Sequence, residues 1–163
     1  MAEVGATHVT VTINAVDPDV GEMVYSWVRD GKLILRGRAA AELLISRQLE
    51  SVRLLAAKGI TVKVNTIVVP GINDHHVGEI SKTVAALGAN IHNIMAMFPT
   101  PNTPFADIPE PTKDQIAAAR QTSAAYLPQM THCRRCRADA VGLLCSDRSG
   151  EFSDMLRACS KVV

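Results

Sequence analysis

Hydrophobic and polar residues follow two alternating periods along the chain, one typical of strands and one of helices. Alternating or continuous β-branched and apolar residues predict three strands, "THVTVTIN" (7–14), "ITVKVNTIVVPG" (60–71) and "NIHNIMAMF" (90–98). Amphipathic spacing predicts three helices, "GRAAAELLISRQLESVRLLAAKG" (37–59), "DHHVGEISKTVAALG" (74–88) and "TKDQIAAARQTSAAYL" (112–127). Each predicted helix follows a predicted strand, which is the order of parallel βαβ architecture.

The segments between these elements contain residues that break or begin regular structure. Pro18 and Gly21 interrupt the pattern after the first strand, so 15–36 is interpreted as a long loop that Tyr25 and Trp27 anchor. Asn73 and Thr112 precede helical patterns and are expected to cap them.

The predicted fold class is α/β, with about three βα units in a parallel sheet. A closed (β/α)8 barrel needs about 250 residues, and the chain has 163. The sequence therefore predicts either a small open sheet or a piece of a larger barrel. The first strand is expected to form an unpaired edge, which favours aggregation or marginal stability.

Composition excludes several classes of function. The formal net charge of +1 gives no reason to expect bulk nucleic-acid binding. No apolar run reaches the length of a membrane-spanning helix, so no membrane partner is expected. Four cysteines, two of them in a CxxC pair, favour a metal or redox role in a reducing compartment, and we expect the cytosol.

Asparagines lie on or near all three predicted strands, at Asn14, Asn65 and Asn93. Ligands of parallel sheets bind at the carboxyl ends of the strands. An amide both donates and accepts hydrogen bonds, which suits the ribose or adenine edge of a nucleotide-like ligand. The alternative is that each amide satisfies nearby loop backbone. Met95 and Met97 are expected to fill the core.

The histidines of the predicted sheet region receive no catalytic role. His75 and His76 stand at a predicted helix start and are expected to be solvated. His92 lies inside the third strand, where a half-buried imidazole with satisfied hydrogen bonds is expected.

The segment "HCRRC" places Cys133 and Cys136 two residues apart, and three arginines surround them. Two thiolates at this spacing can hold one metal site, and nearby guanidinium groups lower thiol pKa values and balance the charge of an iron–sulfur cluster. A structural zinc site completed by Cys145 or Cys159 is a second interpretation. A thioredoxin-like pair is disfavoured because the motif follows the last predicted helix. An inert pair of cysteines remains open.

Several segments together resemble the NifB family of nitrogenase cofactor maturases. The resemblance runs in order from about Thr7 to Arg148, and "HCRRCRADAVG" is its most specific part. The other segments that carry it are "HVTVTINAVDP", "YSWV", "GITVKVNTIVVPGIND" and "NIHNIMAM".

The resemblance implies a radical S-adenosylmethionine (SAM) enzyme on an incomplete parallel (β/α) barrel. Such enzymes fuse two [4Fe-4S] clusters, with a carbide from a SAM methyl group and an added sulfur, into NifB-co, the FeMo-cofactor precursor. By resemblance, Cys133 and Cys136 help to hold one substrate cluster. Thr12, Asn14 and Ile67 are expected near SAM. The expected cofactors are [4Fe-4S] clusters and SAM, and no residue is assigned as catalytic.

The chain departs from the family at the radical cluster, because it contains no CxxxCxxC motif. We therefore expect 1–148 to be the C-terminal part of a radical SAM barrel, 149–163 to be a tail, and the isolated chain to be inactive. The expected partners are a missing N-terminal half of the barrel, cluster donors and downstream nitrogenase cofactor carriers. The alternative is a non-catalytic iron–sulfur or zinc-binding module.

Overall fold

The computed structural model describes residues 5–130 and two short strands at 142–143 and 146–147. The chain divides into two compact units, Met1–Met130 and Thr131–Val163. Cys133 and Cys136 lie outside the described residues, and the domain boundary at residue 148 stays a prediction.

The described elements are strands and helices in the following chain order: β1 (His8–Thr12), α1 (Pro18–Val24), β2 (Trp27–Asp30), β3 (Leu33–Arg36), α2 (Gly37–Ala57), β4 (Thr61–Val68), α3 (Val77–Ala86), β5 (Ile91–Ala96), α4 (Lys113–Ala124), β6 (Gly142–Leu143) and β7 (Ser146–Asp147). In the second unit, β6 and β7 pair antiparallel.

The main sheet of the first unit has the strand order β1-β4-β5, and both pairings are parallel. The predicted α/β class with a parallel sheet is therefore confirmed. Among the described strands, β1 pairs with β4 alone, so it forms an edge as the sequence predicted.

The hydrophobic core lies between one face of this sheet and helices α2, α3 and α4. Burial alternates along β4 because every second side chain points towards the helices. The main cluster joins buried residues of the sheet, of α2 and of α3, namely Ile13, Val62, Val64, Val52, Ile80 and Val84. A second cluster packs Ala119 of α4 against Val68 and Ile94.

A buried imidazole connects the sheet to α3 and α4. His92 of β5 is completely buried, not half-buried as predicted. Its Nε2 lies 2.8 Å from Thr66 Oγ1, and its Nδ1 lies 2.9 Å from Ser81 Oγ and 3.0 Å from Ser123 Oγ. The Gln129 amide donates to Ser123 Oγ at 2.7 Å, which extends the network beyond α4.

The hydrogen bonds assign the tautomer of His92. The Thr66 hydroxyl donates its only proton to the Ile13 carbonyl at 2.6 Å. It must therefore accept from Nε2–H of His92, which leaves Nδ1 as an acceptor. The Ser123 hydroxyl donates to Nδ1, because the Ser81 hydroxyl donates its proton to the Val77 carbonyl at 2.8 Å. Burial lowers the pKa of His92 to about 4, so the imidazole is neutral at physiological pH.

Residues 15–36 form regular structure, which the sequence analysis missed. Pro18 occupies the first turn of α1, where its absent N–H costs nothing, and the Asp17 side chain caps that turn by accepting from Asp19 N at 2.8 Å. Strands β2 and β3 form a hairpin whose turn is permitted by Gly31 at φ +60°. Of the two predicted anchors, Tyr25 holds this segment by accepting from Asn14 N at 3.2 Å, whereas the Trp27 side chain is 55 % exposed.

Of the two predicted helix caps, Thr112 is confirmed and Asn73 is wrong. Thr112 caps α4 and forms a capping box with Gln115. Asn73 makes no capping hydrogen bond, and a 3₁₀ turn over Asp74–His76 leads into α3 instead.

The burial of His92 predicts a loss of stability in mild acid. Because its pKa is lower in the folded chain than its ordinary 6.5, its stabilising contribution is complete above that pH and is lost as the pH falls towards 4. Lowering the pH from 7 to 5 should reduce the free energy of unfolding by about 2 kcal/mol through this group, since one pKa unit corresponds to about 1.4 kcal/mol. Denaturant unfolding at pH 7 and at pH 5 measures this difference in the free energy of unfolding.

The exposed His8 supplies the matched control. His8→Gln should keep the pH dependence, whereas His92→Gln should remove most of it. Burial also lowers the pKa of His76. Its protonation therefore also reduces the free energy of unfolding as the pH falls. An unfolding free energy that is equal at pH 7 and 5 in the unsubstituted chain would contradict the prediction.

Candidate functional site at the carboxyl ends of the strands

A row of polar residues crosses the sheet on the face opposite the helices. Thr12 of β1 is in register with Asn65 of β4, and Asn65 is in register with Asn93 of β5. Since neighbours in parallel strands share a face and side chains alternate, all three point away from the core beneath α2 and α3. We call this surface the helix-free face, because no helix of the described part packs on it.

The two central asparagines of the row form an incompletely satisfied pair. Asn93 Nδ2 donates to Asn65 Oδ1 at 3.1 Å. Asn93 is only 1 % exposed, and its Oδ1 is buried without a hydrogen-bond partner. A buried acceptor without a donor costs about 1–3 kcal/mol, so such atoms point to a missing partner. The pair can therefore accept a donor from a ligand on this face.

The rows on either side differ in polarity. Towards the amino ends, Thr10 is in register with Lys63, whose Nζ lies 3.9 Å from Met130 Sδ. Towards the carboxyl ends, Ile67 is in register with Met95, which is buried as predicted. The helix-free face thus runs from a cationic row through an amide row to an apolar row.

Asn14 and Asn73 join the loops that follow β1 and β4. Asn14 Oδ1 accepts from Ile67 N at 2.9 Å, and Asn73 Nδ2 donates to both the Asn14 and the Ile67 carbonyls at 2.9 Å. Asn73 Oδ1 also accepts from Val69 N at 2.7 Å. Asn73 is completely buried and joins the two loops, instead of capping a helix as predicted.

This arrangement limits what the predicted site residues can offer a ligand. The Oδ1 of Asn14 accepts from Ile67 N, and the Asn14 side chain also hydrogen-bonds to the Tyr25 hydroxyl, so both ends of its amide are engaged. The Thr12 carbonyl accepts from Gln48 Nε2 at 2.7 Å, and the Thr12 side chain lies on the exposed side of β1. The structure therefore brings Thr12, Asn14 and Ile67 to one edge, where only the Thr12 side chain is exposed and the Asn14 amide is engaged within the fold.

His76 lies at the same edge and is not solvated as predicted. Its Nε2 accepts from Val16 N at 3.2 Å, which holds the loop after β1 against the 3₁₀ turn. Burial lowers the pKa of His76, and the Asp17 carboxylate opposes this shift. The neutral form is the one that can accept this hydrogen bond.

Within the described residues, no group of three or more His, Cys, Asp or Glu side chains could hold a metal ion. The predicted ligands Cys133 and Cys136 fall outside that part of the chain. No helix in the portion that the structure describes has the length and apolar character required to cross a membrane.

Known proteins match the chain over nearly its whole length. It is 46 % identical to the FeMo cofactor biosynthesis protein NifB of Chlorobaculum tepidum over 93 % of this chain and 36 % of that protein. It is also 46 % identical to NifB of Klebsiella pneumoniae, over 95 % of this chain and 34 % of the relative. The resemblance to NifB is confirmed.

NifB of Azotobacter vinelandii gives the same result at 39 % identity, over 94 % of this chain and 31 % of the relative. The chain thus spans about a third of the length of the NifB proteins that it matches. No family profile matches the chain.

A solved structure supports the fold. The crystal structure of a domain of pyruvate-formate lyase-activating enzyme from Bacteroides vulgatus superposes with a TM-score of 0.52. It covers 76 % of this chain and 66 % of that domain at 12 % sequence identity, so the likeness concerns the fold alone.

The buried Asn73 predicts a large cost for its removal. Asn73→Ala leaves the buried Val69 N–H and two carbonyls without this partner, so the free energy of unfolding should fall by about 3 kcal/mol. Asn90→Ala is the control, because Asn90 is exposed and its Oδ1 accepts only one hydrogen bond, from Val62 N. Urea denaturation compares the two variants, and equal losses would contradict the role assigned to Asn73.

Proposed function

We propose that this chain supplies the carboxyl part of a NifB-like radical SAM enzyme in nitrogenase cofactor biosynthesis. The observation that carries the proposal is the 46 % identity to NifB proteins over at least 93 % of the chain. In this proposal the whole enzyme fuses two [4Fe-4S] substrate clusters and inserts a carbide and a sulfur, and it works in a reducing cytosol.

Cys133 and Cys136 are proposed to hold one of the substrate clusters. Two cysteine thiolates separated by two residues can both bind iron atoms of one iron–sulfur cluster. The adjacent guanidinium groups of Arg134, Arg135 and Arg137 lower thiol pKa values and offset the negative charge of a thiolate–iron–sulfur assembly.

SAM is proposed to lie against the helix-free face, near Thr12, Asn14 and Ile67. The Asn93 Oδ1, which has no hydrogen-bond partner, suits the amino group of an adenine, and the exposed Thr12 side chain lies in the same row of the sheet. The apolar row with Ile67 and Met95 suits the flat faces of a base. When bound, SAM supplies the methyl carbon that becomes carbide, while these residues bind and orient it.

A further part of the barrel is proposed to pair with β1. A groove of about 560 Å³ runs between β1 and α2, with Val9, Val11, Leu54 and Leu55 in its lining. An edge strand beside an apolar groove accepts another strand and its covering helix. Hydrogen exchange of the β1 amides, with and without the N-terminal portion of a NifB relative, checks this pairing. Unchanged exchange would contradict it.

The first test is anaerobic iron and sulfide reconstitution of the chain, followed by iron counting and electron paramagnetic resonance (EPR). We expect a [4Fe-4S] signal that Cys133→Ala and Cys136→Ala each abolish. Cys145→Ala and Cys159→Ala are matched controls that should retain it.

The possible outcomes separate the interpretations of the cysteine motif. Uptake of zinc alone, with dependence on Cys145 or Cys159, would replace the proposal by a zinc-binding module. A cluster signal that survives both substitutions in "HCRRC" would contradict the assignment of Cys133 and Cys136. Because the chain has no CxxxCxxC motif, it should not cleave SAM by itself, and detection of 5′-deoxyadenosine would contradict that expectation.

The second test concerns the orphaned amide. Asn93→Leu removes a buried unsatisfied acceptor with little change in volume, so the free energy of unfolding should change by less than about 1.5 kcal/mol. SAM affinity, measured by equilibrium dialysis, should fall about tenfold, as expected for loss of one hydrogen bond worth about 1.4 kcal/mol. Asn90→Ala is the control and should leave the affinity unchanged. Equal affinities of Asn93→Leu and the unsubstituted chain would contradict the proposed site.

A further inference from the structure

The hairpin of β2 and β3 presents apolar and basic side chains together on one face. Trp27 is opposite Arg36, and Arg29 is opposite Ile34, so these four side chains share a face. The other face carries Val28 and Leu35, which are half-buried, and α2 packs against both strands. We call the surface formed by Trp27, Arg29, Ile34 and Arg36 the hairpin face.

The apolar members of the hairpin face are open to solvent. Trp27 is 55 % exposed and Ile34 is 57 % exposed. Tryptophan and arginine are the residue types most enriched among side chains that dominate binding at protein interfaces. The composition of the surface is therefore that of an interface centre with a basic rim.

The cations of the hairpin have no acidic partner in the described part of the chain. Arg29, Lys32 and Arg36 form no ion pair there, and Arg29 Nε donates to the Gly31 carbonyl at 2.9 Å. Asp30 is the one acidic residue of the hairpin. Its carboxylate lies 3.6 Å from Arg47 of α2 and is therefore already paired. The hairpin face is left with a local positive field.

The hairpin lies between the carboxyl end of β1 and the start of α2. In parallel α/β folds the loops after the strands surround the ligand site. The Asp30–Arg47 pair places the tip of the hairpin beside the middle of α2.

We propose that the hairpin face docks an acidic protein surface with an apolar centre, on a protein that delivers or collects iron–sulfur cargo. The cargo part of this proposal rests on the proposed function. The arginines of the hairpin face attract acidic groups on the partner. The exposed side chains of Trp27 and Ile34 pack best against an apolar patch at the centre of the partner's surface. The small area of one hairpin gives a weak, transient complex, which suits transfer of cargo.

The same observations disfavour three other occupants. A second copy of this chain brings like charges together if the two hairpin faces meet. A membrane surface is entered by the tip of a hairpin, and here the tip is the charged sequence Asp30-Gly31-Lys32. Single-stranded nucleic acid is bound by several stacking aromatic side chains, and the hairpin has one.

Trp27 is the only tryptophan of the chain, so its fluorescence reports directly on the hairpin face. The probe is a purified acidic [4Fe-4S] scaffold protein that lacks tryptophan, titrated into the full chain with excitation at 295 nm. We expect a saturable blue shift of the Trp27 emission. Its dissociation constant should rise about tenfold or more when NaCl is raised from about 0.05 M to 0.5 M.

Two double variants with the same change in net charge provide the comparison. Arg29→Glu with Arg36→Glu should raise the dissociation constant of the scaffold protein about tenfold or more, because the attraction between the hairpin face and the acidic partner becomes repulsion. Lys58→Glu with Lys82→Glu is the control, since both lysines are exposed and lie outside the hairpin. The control should bind the scaffold as the unsubstituted chain does, and circular dichroism checks that both variants are folded.

The outcomes distinguish failure of the docking surface from failure of the proposed function. No emission change, or equal weakening by both double variants, would overturn the docking proposal. So would a larger shift with phosphatidylglycerol vesicles, with a 20-nucleotide single-stranded DNA, or with increasing concentration of the chain alone. If scaffold binding depends on Arg29 and Arg36 but iron and sulfide never load Cys133 and Cys136, the docking surface stands and the proposed function fails.

Discussion

The parallel pairing of β4 with strands on both sides is the constraint on which the described structure depends. One face of β4 supplies Val62 and Val64 to the core, and the other supplies Lys63, Asn65 and Ile67 to the helix-free face. A shift of one residue in this register would exchange the two sets. The hydrogen bonds of Thr66 to the Ile13 carbonyl and to His92 oppose such a shift, because they connect β4 to both neighbours.

Polar groups serve different purposes on the two faces of the sheet. On the helix side, the hydrogen-bonding atoms of Thr66, His92, Ser81 and Ser123 bond to one another or to backbone carbonyls, so this network fixes strand and helix positions. On the helix-free face, Asn93 keeps an acceptor without a donor. Consecutive residues of β5 thus differ: the His92 imidazole is fully bonded, whereas the Asn93 amide keeps a buried oxygen without a partner, as do Gln48 and Gln129.

Two regions of the first unit extend the functional interpretation beyond the sheet. The groove beside β1 is apolar and borders an unpaired strand, which suits continuation of the same fold. The hairpin face combines Trp27 and Ile34 with arginines, which suits reversible contact with another protein. The NifB relatives are about three times as long as the chain.

Sequence periodicity predicted the three sheet strands, α2, α3 and α4, and the parallel α/β class, because these elements bury a regular pattern of apolar residues. It failed for 15–36, since Pro18 begins a helix as readily as it ends one and a four-residue strand gives too short a pattern. The family resemblance came from local motifs, and the similarity to NifB confirms it.

The roles of individual polar residues were decided by tertiary structure. Asn73, Asn14 and Asn93 are the same residue type near strand ends, and their sequence contexts do not separate them. Asn73 is buried between two loops and joins them, both ends of the Asn14 amide are engaged within the fold, and Asn93 keeps a free acceptor. The sequence by itself determined the three strands of the parallel sheet, helices α2, α3 and α4, and the family that the chain resembles. Only the packing of β1, β4 and β5 decided which amides complete the fold and which remain available, because hydrogen-bond satisfaction depends on neighbours distant in the chain.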